Sequence, residues 1–285
     1  MVIGGGRPEP GVGSLGSLTN RVSRRVRPAL LRPWRAAMVA RSRDATAQLT
    51  TTNSLVLAPH PDDESLGCGA TIARKRAAHA DVWIVCASDG RGSHPRSALP
   101  PGRMAELRAD ELVQAAARLG VVRERVRFLG HHSGTLHQHV DTLADQIRDL
   151  VRESGVREVL VTWIRDPHPD HRALSIAARM AVADRPDVRL LEYPIWGWVE
   201  GPWTREPHPS PLRRALRFAL EPVETLTPRP LGVSCGPYRG AKWAAIREHR
   251  TQVVNVTGEP DYGTLGPGVL GPLTSRRELF LPVEH

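Results

Sequence analysis

The chain has 285 residues, of which 40% are hydrophobic, 5% aromatic and 24% charged. This length allows one large α/β domain or two small ones, and the apolar windows fall short of the ~18 residues that a membrane-spanning helix needs. The formal net charge of +9 is uneven, since residues 1–50 carry nine arginines but only Glu9 and Asp44 as acidic residues. The nearly neutral remainder has no basic stripe interleaved with aromatics, which argues against a nucleic-acid partner.

Residues 1–50 are predicted to form a basic, Gly/Pro-rich arm that is partly disordered, followed by a single folded domain over residues 51–285. Such an arm either stays solvated or makes peripheral contact with an anionic membrane. The three cysteines form no C-x-x-C pair; they are Cys68, Cys86 and Cys235. We therefore expect a reducing, cytoplasmic location. The sequence gives no indication of the oligomeric state.

From residue 54 the pattern alternates between short apolar strands and amphipathic helices. Five strands are predicted, at residues 54–58, 82–87, 126–129, 158–163 and 188–193. Helices are predicted at residues 67–78, 104–119, 140–154 and 173–183. This alternation is typical of right-handed β-α-β units, so we expect a Rossmann-like three-layer α/β sandwich with a mostly parallel sheet. From about residue 196 the chain is proline-rich and is expected to be irregular, with helices at 211–220 and 238–253 and a last strand at 279–283.

Two short motifs combine histidine and aspartate directly after predicted strands. A-P-H-P-D-D-E occupies residues 58–64 after the first strand, and H-P-D-H occupies residues 168–171 after the fourth. Ligands of parallel α/β sheets bind beyond the carboxyl ends of the strands. Imidazole nitrogens and carboxylate oxygens suit a catalytic zinc ion, which takes three protein ligands and keeps one position open. The sequence therefore predicts a metal-dependent hydrolase with its metal site at the C-terminal ends of the strands.

The two motifs divide into a ligand set and a group for proton chemistry. The candidate ligand set is His60, Asp63 and His171, and the residues left for proton chemistry are Asp62, His168 and Asp170. A proline stands inside each motif, at Pro61 and Pro169. Because proline fixes its own φ and restricts the residue before it, both turns are predicted to be stiff.

On these motifs the chain resembles the PIG-L/LmbE-like family of zinc-dependent N-deacetylases, over roughly residues 53–255. The likeness includes V-L-A-P-H-P-D-D-E-S-L-G-C-G at 56–69, S-D-G-R-G-S-H-P at 88–95, R-A-D-E-L-V-Q-A-A-A-R-L-G-V at 108–121, H-P-D-H at 168–171 and K-W-A-A-I-R-E-H-R-T-Q at 242–252. The resemblance implies that the candidate ligand set binds zinc and that Asp62 is the general base for a zinc-activated water. His168 would act as an imidazolium that stabilises the oxyanion or protonates the leaving amine, with Asp170 holding it. Iron(II) in place of zinc is left open.

Polar residues on the loops at the same edge of the sheet are candidates for substrate contacts. They are Arg108, Asp89, His94 and Ser133. Ser133 stands where many family members have an aspartate, which predicts a different polar partner for the substrate. His249 either reaches the pocket or is a packing or surface residue, and the second interpretation is preferred. Tryptophans 196, 198 and 203 either stack on sugar rings or cap the core.

The expected reaction is the hydrolysis of an N-acetyl group from an N-acetylglucosamine-type sugar or sugar conjugate. The bond broken would be a linear amide C–N bond that is not a peptide bond. The alternative is a metal-dependent amidase that acts on a non-sugar or thiol-sugar amide. A non-catalytic metal-binding member is disfavoured, because such a protein would have lost the base or a ligand, and here Asp62 and the whole candidate ligand set are present.

Overall fold

A computed structural model describes residues 29–95, 97–203, 211–227 and 229–284. Its strands are β1 (Arg43–Asp44), β2 (Ser54–Ala58), β3 (Val82–Ser88), β4 (Val126–His131), β5 (Glu158–Thr162), β6 (Arg189–Tyr193), β7 (Leu231–Ser234) and β8 (Arg277–Pro282). They form one eight-stranded sheet in the order β1-β7-β8-β6-β5-β2-β3-β4. All neighbours pair in parallel except β8, which is antiparallel to both β6 and β7.

Helices cover both faces of this sheet. They are α1 (residues 29–41), α2 (Thr46–Thr50), α3 (Asp63–Ala77), α4 (Pro101–Arg118), α5 (Val140–Ser154), α6 (Pro169–Val182), α7 (Trp196–Glu200), α8 (Pro211–Glu224), α9 (Arg239–Glu248), α10 (Arg250–Val253) and α11 (Pro267–Leu273). Within these ranges no helix combines the length and the apolar character needed to cross a membrane. The predicted Rossmann-like sandwich with a mostly parallel sheet is confirmed.

The central strands are buried on both faces, which explains their continuous apolar runs. Every residue of β2 is buried, and its side chains alternate between two hydrophobic cores. Val56 packs in one core, while Leu55 and Leu57 pack in the other. Because successive side chains of a strand point to opposite faces, one apolar strand supports helix layers on both sides.

The chain changes direction across the sheet between β2 and β5. It runs from β2 through β3 to β4 on one side, and then returns to β5 and β6 on the other. β2 and β5 pair in parallel, with Ser54 opposite Glu158, so their carboxyl ends lie side by side. Such a reversal of strand order leaves a crevice in which α/β proteins bind their ligands. Both His/Asp motifs follow these two strands and therefore meet in this crevice.

The C-terminal part is more regular than the sequence indicated. The predicted last strand is found as β8, and the predicted helices are found as α8 and as the pair α9 and α10. Strand β7 was not predicted, because its four residues, L-G-V-S, include a glycine and lie in a proline-rich stretch. Together β7 and β8 extend the sheet beyond β6.

The folded domain begins earlier than the predicted boundary at residue 50. Trp34, Met38 and Leu49 are each at most 5% exposed and belong to the same hydrophobic core as β2. Strand β1 adds to the edge of the sheet beside β7. Residues 29–50 are thus part of the domain, and the predicted arm can extend only over residues 1–28, which lie outside the described residues.

Candidate metal centre and active site

The first motif forms a tight turn between β2 and α3. The main-chain oxygen of Asp62 accepts hydrogen bonds from the N–H groups of Ser65 and Leu66, which starts the helix. Asp62 itself has φ of 138°, a conformation that is rare outside glycine and is found mainly where the surrounding structure enforces it. The N–H of His60 donates to Asp63 Oδ2 at 3.1 Å. The turn therefore fixes the directions of all three of these side chains.

The candidate ligand set converges on one carboxylate oxygen. Asp63 Oδ2 lies 3.2 Å from His60 Nδ1 and 3.3 Å from His171 Nε2. His60 and Asp63 are placed by the turn after β2, while His171 lies in the first turn of α6, after β5. All three residues are buried. Two separate loops thus bring one oxygen and two nitrogens to the same point.

The second ring nitrogen of each histidine faces another carboxylate. His60 Nε2 lies 3.1 Å from Asp170 Oδ2, and His171 Nδ1 lies 3.4 Å from Asp166 Oδ1. Histidines that bind metals in proteins usually donate their other ring N–H to a carboxylate or carbonyl, which fixes the tautomer and the ring orientation. Asp166 was not singled out from the sequence, although it stands only five residues before His171.

The position of Asp170 corrects one sequence-based prediction. Its carboxylate does not hold His168 but contacts His60, and it also accepts hydrogen bonds from the N–H groups of Gly134 and Leu136. The physical reason is the start of α6, where the Asp170 side chain turns back towards the first motif. Only the main-chain N–H of Asp170 reaches His168, donating to Nδ1 at 3.2 Å.

His168 lies beside the candidate ligand set as a third imidazole. Its ring centroid is 4.8 Å from that of His60 and 4.9 Å from that of His171. One nitrogen from each of the three rings falls within 4.8 Å of the others. Burial, followed by the two neighbouring histidines, lowers the pKa of His168 to about 4. These surroundings favour the neutral form of His168, and its role as an imidazolium stays a prediction.

The buried carboxylates give the site a strong attraction for positive charge. Burial disfavours protonation of His171, yet Asp63 and Asp166 raise its pKa to about 10. Burial likewise opposes ionisation of Asp63, but His171 and His60 lower its pKa well below the usual range. A metal ion competes with protons for the same nitrogen and oxygen atoms. The ionised Asp63 and Asp166 carboxylates that stabilise a protonated His171 would stabilise a metal cation in the same way.

His171 supplies a direct test of whether a metal fits. Both of its ring nitrogens are buried, and neither makes a hydrogen bond of normal geometry within the described part of the chain. The nearest oxygens, on Asp63 and Asp166, lie at the longer distances given above. Buried polar atoms are normally satisfied. Since the donors are one carboxylate and two imidazoles, the residues fit a divalent metal ion at this point.

Arg108 lies in α4 and points towards Asp62. Its Nη2 is 3.2 Å from Asp62 Oδ2, and the guanidinium also donates to the main-chain oxygens of Gly90 and Pro61. Burial raises the pKa of Asp62 to about 6, although Arg108 opposes this increase. The guanidinium is only 3% exposed, which indicates that Arg108 positions Asp62. A contact between Arg108 and the substrate stays a prediction.

The other predicted substrate residues lie on two loops at the same edge of the sheet. Asp89 Oδ1 accepts from the N–H of Ser133, which connects the loops after β3 and β4. The ring of His94 stacks on Tyr262 at 4.1 Å, and its Nε2 lies 2.7 Å from the main-chain oxygen of Gly263. These contacts order the loops, and substrate contacts by Asp89, His94 and Ser133 stay predictions.

Two of the three candidate sugar-stacking tryptophans are buried. Trp198 is 6% exposed and Trp203 is 3% exposed. Trp198 lies 5.4 Å from Trp34, which in turn stacks on Trp163 at 6.5 Å. This aromatic cluster joins α1 to the sheet, so these side chains cap the core.

Comparisons with known proteins agree with the fold and identify the family. The sequence model of the family described as GlcNAc-PI de-N-acetylase, PIG-L, matches residues 55–182. The 1D-myo-inositol 2-acetamido-2-deoxy-alpha-D-glucopyranoside deacetylase of Streptomyces avermitilis is 34% identical over 245 residues, which cover 70% of this chain and 82% of that protein. The probable N-acetyl-alpha-D-glucosaminyl L-malate deacetylase 2 of Bacillus cereus is 31% identical over 137 residues, which cover 46% of this chain and 61% of that protein.

Among solved structures, the N,N'-diacetylchitobiose deacetylase of Pyrococcus horikoshii has the same fold, with a TM-score of 0.55 and 20% identity over 81% of this chain and 84% of that chain. The fold, the donor set and the adjoining carboxylate together define a metal-dependent hydrolase. The chain belongs to the PIG-L family of de-N-acetylases.

Proposed function

We propose that the protein is a zinc-dependent deacetylase that removes the N-acetyl group from an N-acetylglucosamine-type sugar conjugate. The observation that carries this proposal is the position of Asp63 Oδ2 between His60 Nδ1 and His171 Nε2, with Asp62 beside it in the chain. His60, Asp63 and His171 would hold the zinc ion. Asp63 is preferred to His168 as the third ligand because a single oxygen of Asp63 contacts both histidines.

A bound zinc ion polarises the acetyl carbonyl and lowers the pKa of a water molecule. Asp62 would take the proton from the attacking water. Its pKa of about 6 lets the carboxylate be ionised at neutral pH while remaining basic enough to accept a proton. Arg108 keeps this carboxylate in place through the contact between Nη2 and Oδ2.

His168 would stabilise the carbonyl oxygen of the substrate and so assist the departure of the amine. Its Nδ1 accepts a hydrogen bond from the N–H of Asp170, so the proton of the neutral ring is on Nε2. An Nε2–H group can donate to the oxygen that becomes negative in the transition state, and such donors contribute roughly 10²–10³-fold to the rate. The proton taken by Asp62 would pass from its carboxyl group to the leaving nitrogen, so that the amine departs neutral.

The relatives support a sugar amide as the substrate class. The names of the two curated relatives describe deacetylases of a glucosaminyl inositol and of a glucosaminyl malate. Both substrates join an N-acetylated glucosamine to a small polar aglycone. The loops that hold Asp89, His94 and Ser133 would contact the sugar hydroxyl groups or this aglycone.

The test is the release of acetate from a panel of N-acetylglucosamine glycosides, with N-acetylated amino acids and simple acetamides as non-sugar competitors. We expect activity on sugar amides that exceeds activity on the non-sugar amides at least tenfold. Equal or greater activity on the non-sugar amides would favour a general metal-dependent amidase and contradict the sugar assignment.

The basic N-terminal segment is proposed to contact anionic membranes, with the enzyme acting in the cytoplasm. Residues 29–50 pack into the domain, so the test deletes residues 1–28 only. The full chain should co-sediment with anionic vesicles and the truncated chain should not. Equal co-sedimentation of both chains would contradict this role.

A further inference from the structure

Helices α3 and α9 run antiparallel and meet at two places seven residues apart. At one, Lys242 Nζ pairs with Glu278 Oε1 at 2.7 Å, and the same carboxylate accepts hydrogen bonds from the N–H groups of Ala70 and Thr71 in α3. At the other, His249 Nε2 lies 3.0 Å from Glu64 Oε1. His249 directly follows the last residue of α9, and seven residues are about two helical turns, so its side chain lies on the same side of α9 as Lys242. The spacing of lysine and histidine in K-W-A-A-I-R-E-H thus matches the packing of α9 along α3.

Glu64 joins His249 to the proposed base. Its Oε1 faces His249, and its Oε2 accepts the N–H of Asp62 at 3.1 Å. Glu64 is 0% exposed and His249 is 1% exposed, so water does not replace either partner. A buried carboxylate is stable only while its hydrogen bonds are satisfied. The Ser65 hydroxyl donates to the same Glu64 oxygen, Oε1, and lies 3.2 Å from His249 Nε2. His249 and Ser65 therefore keep Glu64 together in the orientation in which it binds the Asp62 backbone.

That backbone bond is made at the strained residue of the turn. With φ of 138°, Asp62 has a conformation that costs of order 1–3 kcal/mol and persists only where neighbouring groups enforce it. The Glu64 carboxylate is the acceptor for the Asp62 N–H. If Glu64 rotates away, the peptide before Asp62 loses this bond, and the direction of the Asp62 carboxylate is no longer fixed.

A second contact from the same segment reaches the helix that holds Arg108. The N–H and hydroxyl of Thr251 donate to the two oxygens of Glu111, at 2.8 and 2.7 Å. Glu111 lies three residues after Arg108 in α4, and Arg108 contacts the Asp62 carboxylate. Residues 249–251 therefore contact Glu64, which binds the Asp62 backbone, and the helix that carries Arg108, which binds the Asp62 side chain.

We propose that His249 is a positioning residue for Asp62 that acts through Glu64, an inference that rests on Asp62 being the general base. It accounts for the H-R-T-Q sequence at residues 249–252, which lies far from both metal motifs in the chain. His249 does not touch the reacting atoms, but its loss can still lower the rate. A displacement of about 1 Å at a catalytic group can cost roughly 10²-fold in rate.

The test compares His249→Phe, which removes the donor at similar size, with His249→Gln, whose amide N–H can reach Glu64. We expect His249→Phe to lower kcat about 10- to 100-fold with KM and bound metal unchanged, and His249→Gln to stay within about threefold of the unsubstituted enzyme. Glu64→Met, which keeps a similar side-chain size but removes both carboxylate oxygens, should lower kcat similarly and replaces His249→Phe if that chain does not fold. His79→Gln, at an exposed position two residues after the end of α3, is the control.

Crystal structures of the same variants give a readout that does not depend on activity. In His249→Phe or Glu64→Met we expect φ of Asp62 to leave the positive region, while it stays positive in His249→Gln. An unchanged Asp62 conformation together with unchanged kcat in folded His249→Phe would overturn the proposal. If the parent enzyme releases no acetate from any sugar amide, the proposed function fails, and the Asp62 conformation alone then decides the positioning role.

Discussion

Asp166 Oδ1 lies 3.4 Å from His171 Nδ1, on the side of the ring opposite the candidate metal position. Asp166 is fully buried, and its two oxygens also accept hydrogen bonds from the main-chain N–H groups of His168, Ile195 and Gly197. These bonds hold the carboxylate at a fixed place, so it can orient the His171 ring. Asp170 has the same relationship to His60.

We predict that Asp166→Asn weakens metal binding without abolishing it. Loss of a carboxylate behind a ligating histidine typically costs 10–100-fold in metal affinity, and asparagine keeps the size of the side chain. Metal affinity would be measured by competition with a chelator of known strength. Asp145→Asn, on the exposed face of α5, is the control. An unchanged metal affinity in Asp166→Asn would contradict the claim that Asp166 orients His171 as a metal ligand.

We predict that Asp62→Asn lowers kcat by about 10²–10⁴-fold, the usual contribution of a general base. The ligand set is untouched by this change, so the protein should still bind one metal ion per chain. Acetate release and metal analysis on the same preparation check both statements. A variant that lost its metal along with its activity would instead make Asp62 a ligand.

The pH profile should report the influence of Arg108 on Asp62. Arg108 lowers the pKa of Asp62, opposing the increase caused by burial. In Arg108→Met this opposition is lost, so the pKa of Asp62 rises. Since a general base works only when ionised, the acidic limb of the kcat profile should move to higher pH. Arg108→Lys keeps the positive charge and should move the acidic limb less. Equal pH profiles for the unsubstituted enzyme, Arg108→Met and Arg108→Lys would contradict the influence of Arg108 on Asp62.

Stability should depend on a buried ion pair at the opposite end of the sheet. Lys75 Nζ lies 2.8 Å from Glu158 Oε1, and neither side chain is exposed. We expect Lys75→Met to lower the free energy of unfolding by about 3 kcal/mol, near the lower end for breaking a buried pair, because Arg189 still pairs with Glu158. Urea unfolding measures this. The kcat of the folded variant should not change. A decrease of less than about 1 kcal/mol in the free energy of unfolding would contradict this prediction.

The sequence predicted the central sheet well because its signals are local. The apolar runs of β2 and β5 are bounded by turn residues, and both His/Asp motifs follow them directly. Parallel pairing of β2 with β5 then brings the two motifs together. The candidate ligand set could thus be proposed from the order of the elements and from the chemistry of its side chains.

Other features depend on contacts that have no signature in the sequence. Asp166 is a single aspartate in a loop, and its role comes from its contact with His171, five residues further on. The direction of the Asp170 side chain depends on how the loop after β4 packs. The N-terminal boundary was placed too late because Trp34 and Met38 are spaced irregularly and become core residues only against the C-terminal half of the chain.

The most direct test of the central claim is acetate release from N-acetylglucosamine conjugates by the purified enzyme, before and after chelation and with one equivalent of zinc restored. We predict activity that disappears on chelation, returns with zinc and stays low in Asp62→Asn under all conditions. Acetate release that persists after complete removal of the metal, or that survives in Asp62→Asn, would contradict the account.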